Sequence, residues 1–305
     1  MFKRLLVATE RVDFCDAPVL TALKIAEQND AQLSILHVLE SETTKDRRFV
    51  KHFRTGEEIV ASSEYEETVK KEIHKSCAGV LGSGVPYKIK VTPGFPWKEI
   101  LRQARKDKTD LIVLGPHTER AKEMGVVRVK GKVGSTVQGV IMHERCPVMI
   151  ANRSIPAEKL KFKKIVVGTD FSESCKSALF FAIKLAQEYD SIIFIFHMAP
   201  VPPSPQYSQA DYDKDIDRLK NKLEELCKFI PPEIEHEFNI WGGALPHLEI
   251  IKCVGKKDAD LIVMGSHTEE NAGKWYVGSA VERVSYRSNC PVVVITDPNV
   301  LLAMN

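Results

Sequence analysis

Two glycine-led segments of this chain have the residue types and spacing that holding a phosphate group requires. Gly265-Ser266-His267-Thr268 follows the apolar run ending at Met264, and nine residues after Thr268 comes Gly278-Ser279-Ala280, opening a helical stretch. Small residues let a ligand approach the backbone closely. A helix that opens on Gly and Ser leaves its first N–H groups free at the positive end of the helix dipole, which suits phosphate oxygens. Gly168-Thr169-Asp170 follows another apolar run, and Met198 follows a third. On local grounds alone, glycine at a strand–helix turn also serves plain turn geometry.

Other reactive residue types do not assemble into a catalytic or metal-binding set. His37, His117, His197 and His267 recur in the two halves of the chain, but no H-x-x-x-H or C-x-x-C spacing accompanies them. His143 and Cys146 lie three apart with no carboxylate partner evident, so packing and hydrogen bonding are expected of them rather than a metal. Seven widely spread cysteines, an odd number, read as free thiols in a reducing compartment. Cys146 and Cys290 each precede a proline at the start of an apolar run, where thiols are inert. No Gly-x-x-x-x-Gly-Lys-Ser/Thr loop is present, and neither a positioned base nor a metal-holding carboxylate set is evident.

The elements that position these residues come in two copies. Lys3-Arg4-Leu5-Leu6-Val7-Ala8-Thr9-Glu10 recurs 160 residues later as Lys163-Lys164-Ile165-Val166-Val167-Gly168-Thr169-Asp170. The stretch from Asp110 to Thr118 returns at offset 150 from Asp260 to Thr268, and Gly134-Ser135 and Cys146-Pro147-Val148 return at offset 144. The falling offset places six extra residues in the first copy between Gly115 and Gly134. A fixed order of matches makes this an internal repeat. Domains are expected at 1–152 and 162–305, joined by a polar linker at 153–161.

Within each copy short apolar runs alternate with longer helical stretches, the βαβα order of a parallel sheet covered on both faces. Strands are expected at 5–8, 32–38, 87–91, 111–114 and 148–151, and at 165–168, 192–196, 235–239, 261–264 and 292–295. A helix over 211–229 sets Ile216, Leu219, Leu223 and Leu226 at helical spacing. Stretches 40–55 and 200–205 read as surface excursions. In such a sheet a ligand lies beyond the carboxyl ends of the strands, where strand order reverses. That rule selects Thr169-Asp170, Met198, Gly265 to Thr268 and Gly278-Ser279-Ala280.

Composition bounds the function. The 305 residues suit two domains of ordinary size. With 44% hydrophobic and 28% charged residues and no run approaching the ~20 apolar residues a bilayer requires, a membrane partner is not indicated. The apolar stretch before Thr9 is too short for a signal peptide and reads as a first strand. A formal charge of +2 leaves no footprint for nucleic acid. The first copy's loop over 119–133 holds Arg120, Lys122, Arg128, Lys130 and Lys132 against Glu119 and Glu123, which reads as a solvated charge run.

Gly265-x-x-Thr268, nine residues and Gly278-Ser279 resemble the ATP-binding pattern of the universal stress protein family, Gly-x-x-Gly, nine residues, Gly-Ser/Thr. Thr169-Asp170-Phe171-Ser172-Glu173, Met264-Gly265-Ser266-His267 and Cys290-Pro291-Val292 resemble that family too. The resemblance implies α/β domains with doubly wound five-stranded parallel sheets in the order 3-2-1-4-5, paired within the chain as a pseudo-dimer that could dimerise further. It implies cytoplasmic location and ATP held without rapid turnover, with Mg accompanying the phosphates. Asp170 and the backbone near Met198 would meet adenosine, flanked by Gly168, Thr169 and Met264. Gly265, Thr268, Gly278, Ser279 and Ala280 would surround ribose and phosphates. Thr268 departs from the pattern's second Gly, a costly place for a β-branched residue if φ is positive there. The first copy departs further: its weaker candidates are Glu10, Gly115, Thr118, Gly134 and Ser135, with Glu10 in place of Asp and fifteen residues between Thr118 and Gly134.

The function this implies is a stress-response module that binds an adenine nucleotide and regulates a protein partner. Alternatives are an interaction module with vestigial pockets, or a slow ATPase or nucleotidyl-transfer enzyme. No catalytic residue is nominated.

Overall fold

The computed structural model describes residues 1–41, 49–81, 84–116, 133–152, 160–200, 204, 206–266 and 277–296. The chain divides into two compact units, Met1–Leu160 and Lys161–Asn305. The calls at His117, Thr118, His267 and Thr268, most of the basic loop and most of the linker lie outside the described residues.

Each unit has the same architecture. In the first, β1 (Arg4–Ala8), α1 (Ala17–Asn29), β2 (Gln32–Glu40), the short strands β3 (Phe49–Lys51) and β4 (Glu58–Val60), α2 (Ser63–Leu81), β5 (Tyr87–Gly94), α3 (Pro96–Asp107), β6 (Leu111–Leu114), α4 (Ser135–His143) and β7 (Val148–Ile150) follow in turn. In the second come β8 (Lys164–Gly168), α5 (Glu173–Tyr189), β9 (Ile192–Pro200), α6 (Gln209–Cys227), β10 (His236–Gly243), α7 (Pro246–Lys257), β11 (Leu261–Gly265), α8 (Ser279–Arg287) and β12 (Val292–Ile295). The main strands are all parallel and run β5-β2-β1-β6-β7 in one unit and β10-β9-β8-β11-β12 in the other. Both are the order 3-2-1-4-5, with its reversal between β1 and β6 and between β8 and β11.

The central strands are continuous apolar runs because helices cover both faces: β6 and β11 bury Leu111 to Leu114 and Leu261 to Met264. Helix limits follow side-chain chemistry. Asp16 and Ser172 accept backbone N–H groups at the starts of α1 and α5, and Ser208 and Asp211 form a reciprocal capping box on α6. α1, α3, α5 and α7 end at Asp30, Lys108, Asp190 and Asp258, each left-handed with φ near 50°, a short polar residue in three of the four cases.

At the amino ends of the strands the two units share a clamp. One oxygen of Asp110 accepts the backbone N–H groups of Lys3 and Arg4 at 2.9 and 3.0 Å. Asp260 accepts those of Lys163 and Lys164 at 2.9 and 3.2 Å, one on each oxygen. Each carboxylate thereby pins the start of the first strand to the start of the fourth. Burial pushes both carboxyls up from the usual range.

Three expectations are corrected. The stretch 40–55 is not a plain excursion, since Phe49–Lys51 pairs antiparallel with Glu58–Val60. β9 continues through Met198 to Pro200, because its ladder with β10 extends to Gly243, so Met198 lies within the strand rather than after it. The α6 helix begins and ends two residues earlier than expected, at Gln209 and Cys227, where the capping box sets its start.

Candidate functional site

In the second unit Thr169-Asp170, Gly265-Ser266 and Gly278-Ser279 come together at the carboxyl end of the sheet, around the β8–β11 neighbours. Met264 sits opposite Gly168 in the ladder, so Thr169-Asp170 and Gly265-Ser266 leave the sheet side by side. Ser266 is buried and its N–H bonds the Ile295 carbonyl at 2.9 Å. Gly278 then returns to the same spot, its N–H donating to the Ser266 carbonyl at 3.0 Å. That bond sets the start of α8 directly beyond β11. Gly278 is the N-cap and makes no side-chain cap bond, so the first turn of α8 keeps the positive pole of its dipole uncovered by its own cap residue.

Asp170 stands at the mouth of this arrangement. Its Oδ1 accepts the Ser172 N–H at 2.9 Å and the Cys175 thiol at 3.1 Å. Burial alone would raise its carboxyl, but the donors on Ser172 and Cys175 outweigh that and hold it below the usual carboxylate range. It is an anion at neutral pH. Beside it Phe171 takes a left-handed φ of 67° and lays its ring on His197, 4.6 Å between centroids, with the Lys222 ammonium 5.4 Å from the ring centre. His197 Nδ1 lies 2.8 Å from the Thr169 carbonyl. A carbonyl only accepts, so Nδ1 carries the proton. Burial holds this imidazole below its ordinary pKa, so it is neutral and serves to hold the loop after β8.

Gly265 has a use that spacing did not suggest. A Cβ there would lie 2.4 Å from the Ser174 carbonyl carbon and 2.6 Å from the Cys175 nitrogen. The missing side chain is what lets the first turn of α5 press against β11. At Gly168 a Cβ would meet Ile250 at 3.3 Å. Glycine at these two positions has a packing reason whatever ligand arrives.

The first unit repeats part of this plan. Gly134 donates its N–H to the Pro116 carbonyl at 2.9 Å and caps α4 without a side chain, bringing Ser135 to the end of β6 beyond Gly115. His37 Nδ1 lies 3.0 Å from the Thr9 carbonyl, and burial lowers its pKa as it does in His197. The loop after β1 differs. Val12 stands where the second copy has the capping Ser172 and has no oxygen to cap a helix. α1 therefore starts only at Asp16, whose carboxylate accepts the Val19 N–H at 3.3 Å and the Thr9 hydroxyl at 2.8 Å. Glu10 thus enters a longer, differently tied loop than Asp170 does.

His143 stacks on Trp97 at 5.0 Å and its Nδ1 lies 2.9 Å from the Gly139 carbonyl. Sequence reasoning nominated Thr169 and Asp170 but passed over Phe171 and Cys175 as contributors. The available signal for Cys175 was its recurrence: Cys15 stands at the same offset of 160 as Ala22 to Ala182. Among the described residues no cluster of three His, Cys, Asp or Glu side chains could hold a metal. Among the same residues no helix is long and apolar enough to cross a membrane.

Comparison with known proteins places this geometry. The sequence model of the universal stress protein family matches residues 1–152 and again 161–296. Two universal stress proteins of Methanocaldococcus jannaschii are 30% and 31% identical over 146 and 157 residues, each alignment covering 45% of this chain and 84% and 97% of the relative. A solved universal stress protein of Archaeoglobus fulgidus superposes with TM-score 0.63 at 20% identity, over 96% of this chain and 98% of that one, and so shares the fold. With both copies matched and both sheets in the same order, the chain belongs to the universal stress protein family and carries two of its domains in tandem.

Proposed function

We propose that this protein is a stress-response binding module that holds an adenine nucleotide, ATP, at the carboxyl end of the β8–β11 pair, with Mg accompanying its phosphates. The observation that carries this reading is the uncapped start of α8, fixed beyond β11 by the Gly278–Ser266 bond. Its free N–H groups suit phosphate oxygens, and the anionic Asp170 with one oxygen already tied supplies an acceptor for a sugar hydroxyl or base amine. Location in the cytoplasm and regulation of a protein partner through nucleotide occupancy belong to the same proposal.

The two copies are proposed to differ. The second has the nine-residue spacing of the family's ATP pattern, whereas the first has fifteen residues, Glu10 for Asp and the loop tied by Asp16. A polar group displaced in such a site loses about 1–3 kcal/mol, which is about fivefold to 150-fold in affinity. Calorimetric titration of Mg-ATP is expected to show one tight site that Gly278→Val weakens by about tenfold or more and Gly134→Val leaves intact. The opposite pattern overturns the assignment, and absence of binding in the wild type overturns the reading. Steady-state turnover in the same samples is expected at about one per minute or less, against about 10 per second for a typical enzyme. Several turnovers per second, lost in Asp170→Asn, would make the protein an enzyme.

We also propose that the copies associate within the chain through β7 and β12. Both are short and wholly apolar, and such an edge left open invites association. Small-angle scattering is expected to report one compact particle. A profile of two separated beads would overturn it.

A further inference from the structure

The third strand of each unit ends its sheet. Among the described residues β5 is laddered only to β2, and β10 only to β9. Each strand therefore turns a row of backbone N–H and C=O groups away from its own sheet, a template on which another strand can form. Cover is thin along both. Of the eight residues of β10 none is buried, and of the eight of β5 only Val91 and Gly94 are. An open cleft of about 500 Å³ runs beside the start of β10, lined by Cys227, His236 and Phe238.

The two edges carry opposite charge at equivalent positions. Lys88 lies opposite Ser34 in its ladder and Glu237 opposite Phe194, and Ser34 and Phe194 stand at the offset of 160 that relates the copies. Asp107, at the end of α3, pairs with Lys88 at 3.2 Å and Lys90 at 3.0 Å and accepts the Ser34 hydroxyl at 2.8 Å. In the second unit the signs are exchanged. Lys257 of α7 pairs with Glu237 and sets its ammonium 5.1 Å from the Phe194 ring centre. The charges around these pairs go the same way. Arg105 and Lys106 beside Asp107, and Glu233 and Glu235 before Glu237, are exposed and form no ion pair among the described residues. The β5 edge is left positive and the β10 edge negative.

We propose that β5 of one copy and β10 of another are complementary docking edges, through which this protein associates with itself head to tail. Like charges facing one another across a strand pair are destabilising, so β5 rejects another β5 and β10 another β10. Opposite charges remove that penalty for the unlike pair, and the residues that guard each edge against its own kind select the other. The half-buried Tyr87 and Ile89 of an arriving β5 find room in the cleft beside Phe238. Eight residues at about 3.3 Å each make an edge of about 26 Å, which is a small contact, below about 1,200 Å². Association is therefore weak, sensitive to salt and dependent on concentration. Every copy carries one edge of each kind, so the contact is heterologous and repeats from copy to copy.

Sedimentation velocity of the full chain over a range of concentrations tests this. At low ionic strength the average mass of the wild type is expected to climb above that of one chain as concentration rises. It should return to one chain at about 1 M salt, where charges are screened beyond about 3 Å. Lys88→Glu with Lys106→Glu reverses one edge, and Glu233→Lys with Glu235→Lys reverses the other. Both leave the Lys90–Asp107 and Lys257–Glu237 pairs in place, and circular dichroism checks that both fold. Each variant alone presents two edges of one sign and is expected to stay a single chain. An equal mixture is expected to associate where the wild type does, because each variant meets the opposite sign on the other. Lys88→Gln and Glu235→Gln, which remove charge without reversing it, are expected to weaken association severalfold and keep the test open if a reversal disturbs folding. A wild type that remains one chain throughout, a folded variant that still associates by itself, or a folded mixture that does not associate would overturn the proposal.

Discussion

Gly265→Val is expected to destabilise the second domain by about 3 kcal/mol or more, at the top of the range for overpacking. The new Cβ would lie 2.4 to 2.6 Å from the backbone of Ser174 and Cys175. Backbone in the first turn of a helix cannot rotate away as a side-chain tip can, so either α5 shifts or β11 does. α5 also carries the cap at Ser172 and the thiol that holds Asp170, so its displacement should weaken nucleotide binding along with stability. Gly168→Ala is the comparison. Its Cβ would meet the end of the Ile250 side chain at 3.3 Å, which can yield, and about 1 kcal/mol is expected. Urea unfolding followed by circular dichroism reads both. If Gly265→Val leaves the midpoint where it was, the close approach of α5 to β11 is not real.

Asp260→Ala is expected to cost about 2 kcal/mol, from hydrogen bonds to a charged acceptor that water replaces only in part. The Asp260 carboxylate holds the Lys163 and Lys164 N–H groups, which begin β8 beside β11. Asp260→Asn keeps one acceptor oxygen and should cost about half as much. Asp110→Ala tests the same clamp in the first domain, where a single oxygen accepts both bonds and the other is buried without a hydrogen-bond partner. Differences below about 0.5 kcal/mol for both alanine variants would reduce the clamp to a surface detail.

The tandem repeat, the parallel sheets and the identity of their ten strands were legible in the amino-acid sequence, and the reason is burial; the short β3–β4 hairpin, one of whose strands is exposed at both ends, was not. A strand covered on both faces must be apolar at every position, so Leu111 to Leu114 and Leu261 to Met264 announce themselves. Strand ends were less legible: β9 runs on through Met198 to Pro200 because the backbone ladder with β10 continues, and hydrogen bonds between main chains do not depend on side-chain polarity. The motif spacing likewise pointed to Gly278 and Asp170, since helix starts and strand ends are local features. What tertiary structure alone decided is which group each of these residues meets. Gly265 entered as a candidate for approach to phosphate and is, by geometry, a contact point for the α5 backbone. Cys15 and Cys175 look equivalent in the chain, but one capping oxygen present at Ser172 and absent at Val12 moves the helix start, and with it Cys175 sits in a first helical turn against a carboxylate while Cys15 stays in the loop before the helix. Residue type and spacing describe one element at a time. A contact between elements is set by how the chain folds back on itself, which no local pattern encodes.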